Sequence, residues 1–242
     1  MKRVALPVCS LLVAAAWLSG CQSGPSAQQQ AQARQAEAAT AAAAAAAVAA
    51  ATPPPTLEPG QEISLFDGTT LGLWKAANLG TQGGVRVADG AIRLDWGNPG
   101  TEIRWGGPAV AMNYELRFEL QRGQGGGDAY CFVIFPIGER ACTLVLGDWV
   151  GVQCRDDGAA AVERGGIKRV ALEAERWHAV QLRVLPDRIQ ATLDGAPVVD
   201  LSVESPASVA PGDAPPRPLG IATWSMAAAL RELHLKRLGA AR

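Results

Sequence analysis

Between residues 63 and 238 the chain alternates apolar and polar positions at every second residue. Tyr114, Leu116, Phe118 and Leu120 are separated by Glu115, Arg117 and Glu119. Val180, Leu182 and Val184 enclose Gln181 and Arg183, and two further runs repeat the rhythm: Ile189, Ala191, Leu193 and Ile92, Leu94, Trp96. Successive side chains of a strand point to opposite faces, so this pattern predicts strands with one buried face. Each run is short and ends at Gly, Pro, Asn or Asp, residues suited to turns. Asp194-Gly195 separates two runs and predicts a type I′ hairpin, in which both central residues need positive φ. Pro206, Pro211, Pro215, Pro216 and Pro218 exclude a central strand between Val203 and Leu219, because proline donates no ladder hydrogen bond; a surface loop is expected there. Leu230 to Leu238 fits two periods, since Leu233 and Leu235 alternate while Leu230 and Leu233 suit a helix. Set among strands, it is read as a strand.

Many short strands with no βαβ spacing predict an all-β domain over 61–239, a β-sandwich or jelly roll. The 27 Gly and 16 Pro agree with a turn-rich fold. The 48% hydrophobic content is inflated by alanine, which fills 41–51 except at Val48. A domain of this size buries about 70% of its unfolded surface, so neither a metal nor a disulfide is required for folding.

The chain begins differently. Lys2 and Arg3 precede an apolar stretch, Val4 to Leu18, too short for a permanent membrane helix. Leu18-Ser19-Gly20-Cys21 closes it and resembles the lipobox of bacterial lipoproteins. That resemblance implies a signal peptide over 1–20 and acylation of Cys21 as the first mature residue, hence a membrane anchor. Gln22, where an aspartate is absent, implies the outer membrane or the periplasmic face of the envelope. Residues 21–60, rich in Ala and Gln and stiffened by Pro53-Pro54-Pro55, are expected to act as a tether.

Charge and motif content narrow the chemistry. With 22 Lys+Arg against 23 Asp+Glu, the chain has no basic excess with which to hold nucleic acid. Two histidines, His178 and His234, exclude a three-histidine zinc site, and His178 has no evident partner in sequence. His234 is expected to meet solvent. Gly123 to Gly127 lacks the Lys-Ser or Lys-Thr of a phosphate loop. Asp156-Asp157-Gly158 lacks the spaced acids of a calcium loop, and no Gly-x-Ser-x-Gly elbow occurs. No cofactor is legible; a calcium or manganese requirement and the oligomeric state stay open.

Six segments in order carry a family resemblance. They are Leu65-Phe66-Asp67-Gly68-Thr69-Thr70-Leu71 with Leu73-Trp74-Lys75, Val87-Ala88-Asp89-Gly90, Tyr114-Glu115-Leu116-Arg117-Phe118, Arg176-Trp177-His178, Leu193-Asp194-Gly195, and Gly220-Ile221-Ala222-Thr223-Trp224 with the strand to Leu238. Together they resemble the 3-keto-disaccharide hydrolase domain, over about 63–238. The resemblance implies a concanavalin-like jelly roll of two antiparallel sheets and activity on glycosides oxidised at C3. This chain departs from the family at the central hairpin, where the arginine is absent and Thr143 stands at the acidic position.

The groups left in that neighbourhood are Asp128, Tyr130, Asp148 and Trp149. Carboxylates accept hydrogen bonds from sugar hydroxyls, and aromatic faces cover apolar ring surfaces. Asp148 and Asp128 are therefore the catalytic candidates, and Trp149, Trp224 and Tyr130 the substrate-binding ones. Trp74, Trp96, Trp105 and Trp177 are assigned to the core. Cys131 and Cys142 flank Phe135 to Glu139, read as a hairpin loop, which predicts a disulfide between them and leaves Cys154 free. Two functions follow: a 3-keto-glycoside hydrolase or lyase, or a non-catalytic carbohydrate-binding module on the same scaffold.

Overall fold

The computed structural model describes residues 56–138, 140–155, 162–170, 172–203 and 218–239. The signal peptide with Cys21, nearly all of the tether, the Asp156-Asp157-Gly158 turn and most of the proline-rich stretch lie outside them. Among the described residues there are fifteen strands and no helix. β1 (Glu62–Ser64), β2 (Trp74–Ala76), β3 (Val85–Ala88), β4 (Ala91–Leu94) and β5 (Gly100–Trp105) open the domain. Longer strands follow: β6 (Tyr114–Gly125), β7 (Ala129–Ile137), β8 (Arg140–Gly147), β9 (Trp149–Arg155) and β10 (Val162–Arg169). β11 (Trp177–Val184), β12 (Arg188–Leu193), β13 (Ala196–Ser202), β14 (Gly220–Trp224) and β15 (Met226–Arg237) complete it.

The strands form two antiparallel sheets. One runs β13-β12-β11-β6-β15-β4-β3, with β1 also paired to β15; the other runs β10-β9-β8-β7-β14-β5-β2. Alternation decides which side of each sheet is buried. Tyr114, Leu116, Phe118 and Leu120 of the first sheet and Cys131, Val133, Phe135 and Ile137 of the second all belong to one apolar core. The Tyr114 hydroxyl crosses that core and donates to the Pro136 carbonyl at 2.7 Å, joining β6 to β7. The ambiguous C-terminal stretch is a strand, as expected, and the Asp194-Gly195 hairpin has both residues at positive φ, 50° and 78°.

The opening family motif is structural. The Asp67 carboxylate accepts from the Thr69 and Thr70 amides, each at 2.7 Å, and from the Thr70 hydroxyl at 2.8 Å. Those bonds, led by the one from the Thr70 amide, hold its pKa well below the usual carboxylate range. The turn delivers Trp74 to the core, where its indole N–H donates to the Leu65 carbonyl at 2.9 Å and its ring lies 5.4 Å from that of Trp105.

Four expectations are corrected here. The disulfide joins Cys142 to Cys154, not to Cys131. The β7–β8 hairpin reverses at Gly138, so Cys142 stands opposite Phe135 and Cys131 opposite Leu146, whereas Cys142 and Cys154 face each other across β8 and β9. Cys131 is a buried free thiol whose pKa burial pushes up to about 12. Trp96 is not in the core: β4 ends at Leu94, and the ring lies in the following loop, 53% exposed. Trp177 is half-buried on the outer face of its sheet, because His178, Val180 and Leu182 take the inward positions. The Arg231 guanidinium lies 4.1 Å from its ring centre. His178 does have partners, supplied by tertiary structure: the Asp194 carboxylate at 2.8 Å from Nδ1 and the Glu173 carbonyl at 3.2 Å from Nε2.

Candidate functional site

The inward residues of β7, β8 and β9 build the core, so the intervening positions project from the outer face of the seven-stranded sheet. Register aligns them in rows across the strands. One row runs Glu102, Ala222, Phe132, Val145, Gly151; the next runs Arg104, Gly220, Ile134, Thr143, Gln153. The side chains are small in the middle of the sheet, where Ala222 and Gly220 stand, and larger on either side. A groove of about 540 Å³ results, lined by Glu102, Ala222 and Phe132 of the first row, by Ile134, Thr143 and Gln153 of the second, and by Pro99, Leu79 and Trp224. Volumes of this size hold a small organic ligand.

The groove offers a mixed chemistry. Phe132, Ile134 and Ala222 give it an apolar floor, and Trp224, 56% exposed, stands at its rim. Thr143 contributes a hydroxyl and Gln153 an amide. Its one lining carboxylate, Glu102, is only 12% exposed and accepts a hydrogen bond from Nε of Arg104. That bond and the negative charge of Glu102 raise the Arg104 pKa further above its ordinary value. Among the described residues no group of three or more His, Cys, Asp or Glu side chains is arranged to hold a metal ion.

Of the five residues singled out in sequence, Trp224 lines this groove. Trp149 shares the outer face two positions from Gly151 on β9: a Cβ placed on Gly151 would meet its ring at 3.4 Å, so the indole packs against that glycine. Tyr130 and Asp148 do not line the groove. An irregularity between Ala129 and Cys131 turns Tyr130 inward beside Cys131, both buried. The Tyr130 hydroxyl donates to the Asp148 carboxylate, and the Arg122 guanidinium covers the ring at 4.1 Å. The Tyr130 pKa is raised, chiefly by burial and then by the bond to Asp148. Asp128 is exposed beside them, its carbonyl accepting the Asp148 amide at 2.8 Å. These three residues lie together outside the groove lining.

Sequence reasoning missed Glu102, Phe132 and Gln153, and treated Thr143 only as a lost acid. The available signal was the strand Gly100–Trp105, where Glu102 and Arg104 alternate with Thr101, Ile103 and Trp105. Nothing in one strand distinguishes a polar residue facing water from one facing a groove.

Several solved structures share this architecture. The carbohydrate binding module CBM66 from Bacillus subtilis superposes with a TM-score of 0.52 at 13% identity, covering 68% of this chain and 95% of that one. A putative glycosyl hydrolase from Parabacteroides distasonis gives 0.50 at 17% identity, covering 74% and 94%. The exoplasmic/lumenal domain of VIP36, bound to Ca2+ and Man3GlcNAc, gives 0.54 at 12% identity, covering 74% and 90%. At such identities the likeness concerns the fold, a two-sheet antiparallel sandwich of the concanavalin A-like lectin type. No curated protein matches the chain. The sequence profile of one family, however, matches residues 61–236, most of the chain. The chain belongs to the 3-keto-alpha-glucoside-1,2-lyase-like domain family.

Proposed function

We propose that this chain is a carbohydrate-active domain held at the cell envelope, and that it takes a glycoside in the groove on the seven-stranded sheet. The observation that carries this reading is the meeting of an exposed indole, Trp224, with an apolar floor and a few hydrogen-bonding groups, Thr143, Gln153 and Glu102, in one groove. Sugars present apolar C–H faces and hydroxyl edges, and this lining offers a partner to each. Family membership and the carbohydrate-related structures of the same fold support it.

Within that reading, Glu102 separates the enzyme from the binding module. A ketone at C3 acidifies the neighbouring C2 proton. Glu102 would take that proton as the C1–oxygen bond breaks and pass it to the departing oxygen. Water then adds across the new C1–C2 double bond. Glu102→Gln keeps the shape and removes the base. In a 3-keto-glycoside lyase, turnover falls by about a hundredfold or more while the substrate is still held. In a module, wild type shows no turnover and the variant binds more weakly. If neither binding nor turnover changes, the groove is not the site.

The envelope location rests on the Leu18-Ser19-Gly20-Cys21 ending. Acyl transfer needs the thiol, so Cys21→Ser is expected to move the protein from the membrane fraction to the soluble one. A processed Cys21→Ser chain that still sediments with membranes would remove the anchor from the proposal.

A further inference from the structure

The groove crosses the strands rather than running along one. Its lining draws on Gln153 of β9, Thr143 of β8, Ile134 and Phe132 of β7, Ala222 of β14 and Glu102 of β5. Neighbouring strands lie about 4.8 Å apart, so the four intervals from β9 to β5 span about 19 Å. With bonds of about 1.5 Å, a pyranose ring and its linking oxygen advance by about 5 Å, roughly one such interval. The groove is therefore longer than a disaccharide.

The segments next to the Trp224 end of the groove carry further exposed apolar side chains. Among the described residues, Leu73, Leu79, Trp96 and Trp224 are the large apolar side chains left exposed, at 50%, 40%, 53% and 56%. Backbone hydrogen bonds tie the segments bearing three of them into one rim. Asn98 N–H donates to the Thr81 carbonyl at 3.0 Å, and Ser225 N–H to the Pro99 carbonyl at 2.8 Å. The loop carrying Trp96 is thereby fastened to the segment after Leu79 on one side and to the residue after Trp224 on the other. Single exposed apolar side chains are ordinary, but three of them gathered on adjoining segments beside a groove mark a place where a ligand is met.

The charges nearby are already matched. Glu102 is paired with Arg104, and Asp95, next to Trp96, is paired with Arg86. An anionic sugar would place its carboxylate against Glu102 with no free cation among the lining residues to receive it. From this we propose that the groove binds a neutral oligosaccharide longer than a disaccharide, laid across the strands from Gln153 to Trp224 and continued over Leu79 and Trp96. The proposal rests on the carbohydrate reading above and adds to it the length and charge of the ligand.

The test titrates the full chain with malto-, cello-, manno- and xylo-oligosaccharides from disaccharide to hexasaccharide, following tryptophan fluorescence, with oligogalacturonates as the charged series. In at least one neutral series, affinity should rise roughly tenfold beyond the disaccharide and then level off, the share one aromatic contact commonly adds. Trp96 lies outside the groove lining, so Trp96→Ala should erase that gain and leave disaccharide affinity unchanged. Equal affinity at every length would overturn the proposal while leaving the carbohydrate reading intact. Oligogalacturonates bound as tightly as the neutral chains would overturn the charge argument. Binding to none of the series would overturn the proposal, while the carbohydrate reading itself stands or falls with the Glu102→Gln experiment on a 3-keto-glycoside.

Discussion

Trp224→Ala is expected to weaken glycan binding by roughly thirtyfold, the largest binding effect of any single change in the groove. The side chain is more than half exposed at the rim, so its loss takes away a stacking face without opening the core. Buried aromatic anchors in binding sites commonly contribute about 2 kcal/mol, which corresponds to that factor in Kd. Stability should move by less than about 0.5 kcal/mol, as for other exposed positions. Calorimetric titration beside thermal unfolding separates the two quantities. Trp224→Phe should recover part of the affinity, because a smaller ring still covers a sugar face. Unchanged affinity in the alanine variant would show that the indole is not a contact.

Tyr114 carries the largest expected stability effect. The ring is fully buried, and its hydroxyl reaches from β6 in one sheet to the Pro136 carbonyl of β7 in the other. Tyr114→Phe keeps the packing but leaves that buried carbonyl without its donor, at a cost of about 1–3 kcal/mol. Tyr114→Ala also opens a cavity and should cost about 3–5 kcal/mol, by analogy with other aromatic truncations in cores. Urea unfolding measures both. A phenylalanine variant as stable as wild type would mean that the cross-sheet bond contributes nothing net.

The two predictions draw on information of different kinds. Tyr114 was visible in sequence as the first inward position of an alternating run, and the strand, its buried face and the Asp194-Gly195 turn could all be read locally. Trp224 was visible as an aromatic at the end of a family motif. Glu102 was not, since its strand looks the same whether its polar side meets water or a groove; only the pairing of β5 with β14, and of β14 with β7, brings it beside Phe132. Asp148 was legible as a carboxylate beside an aromatic in the central hairpin; that its carboxylate accepts from Tyr130, which an irregularity in β7 turns inward, was not. The cysteine pairing failed for a related reason. A hairpin's register depends on where the chain reverses, and placing the reversal at Gly138 moves Cys142 away from Cys131 and leaves it to Cys154. Pairing across strands distant in sequence is what a single-chain pattern does not contain.

The order of the sheets has a consequence for how the protein is made. β14 lies between β7 and β5 in one sheet, and β15 lies between β6 and the β4 and β1 pairings in the other. Both inner strands come from the last stretch of the chain, Gly220–Arg237. Until that stretch emerges, each sheet exists only as two unjoined halves with bare hydrogen-bonding edges, and no early portion of the domain can close its core. Synthesised from its N-terminal side, the domain therefore stays unfolded until Gly220–Arg237 has emerged, a polypeptide held back from folding by its own strand order. A stop codon ahead of Gly220 should yield no folded fragment at all, only material for proteases.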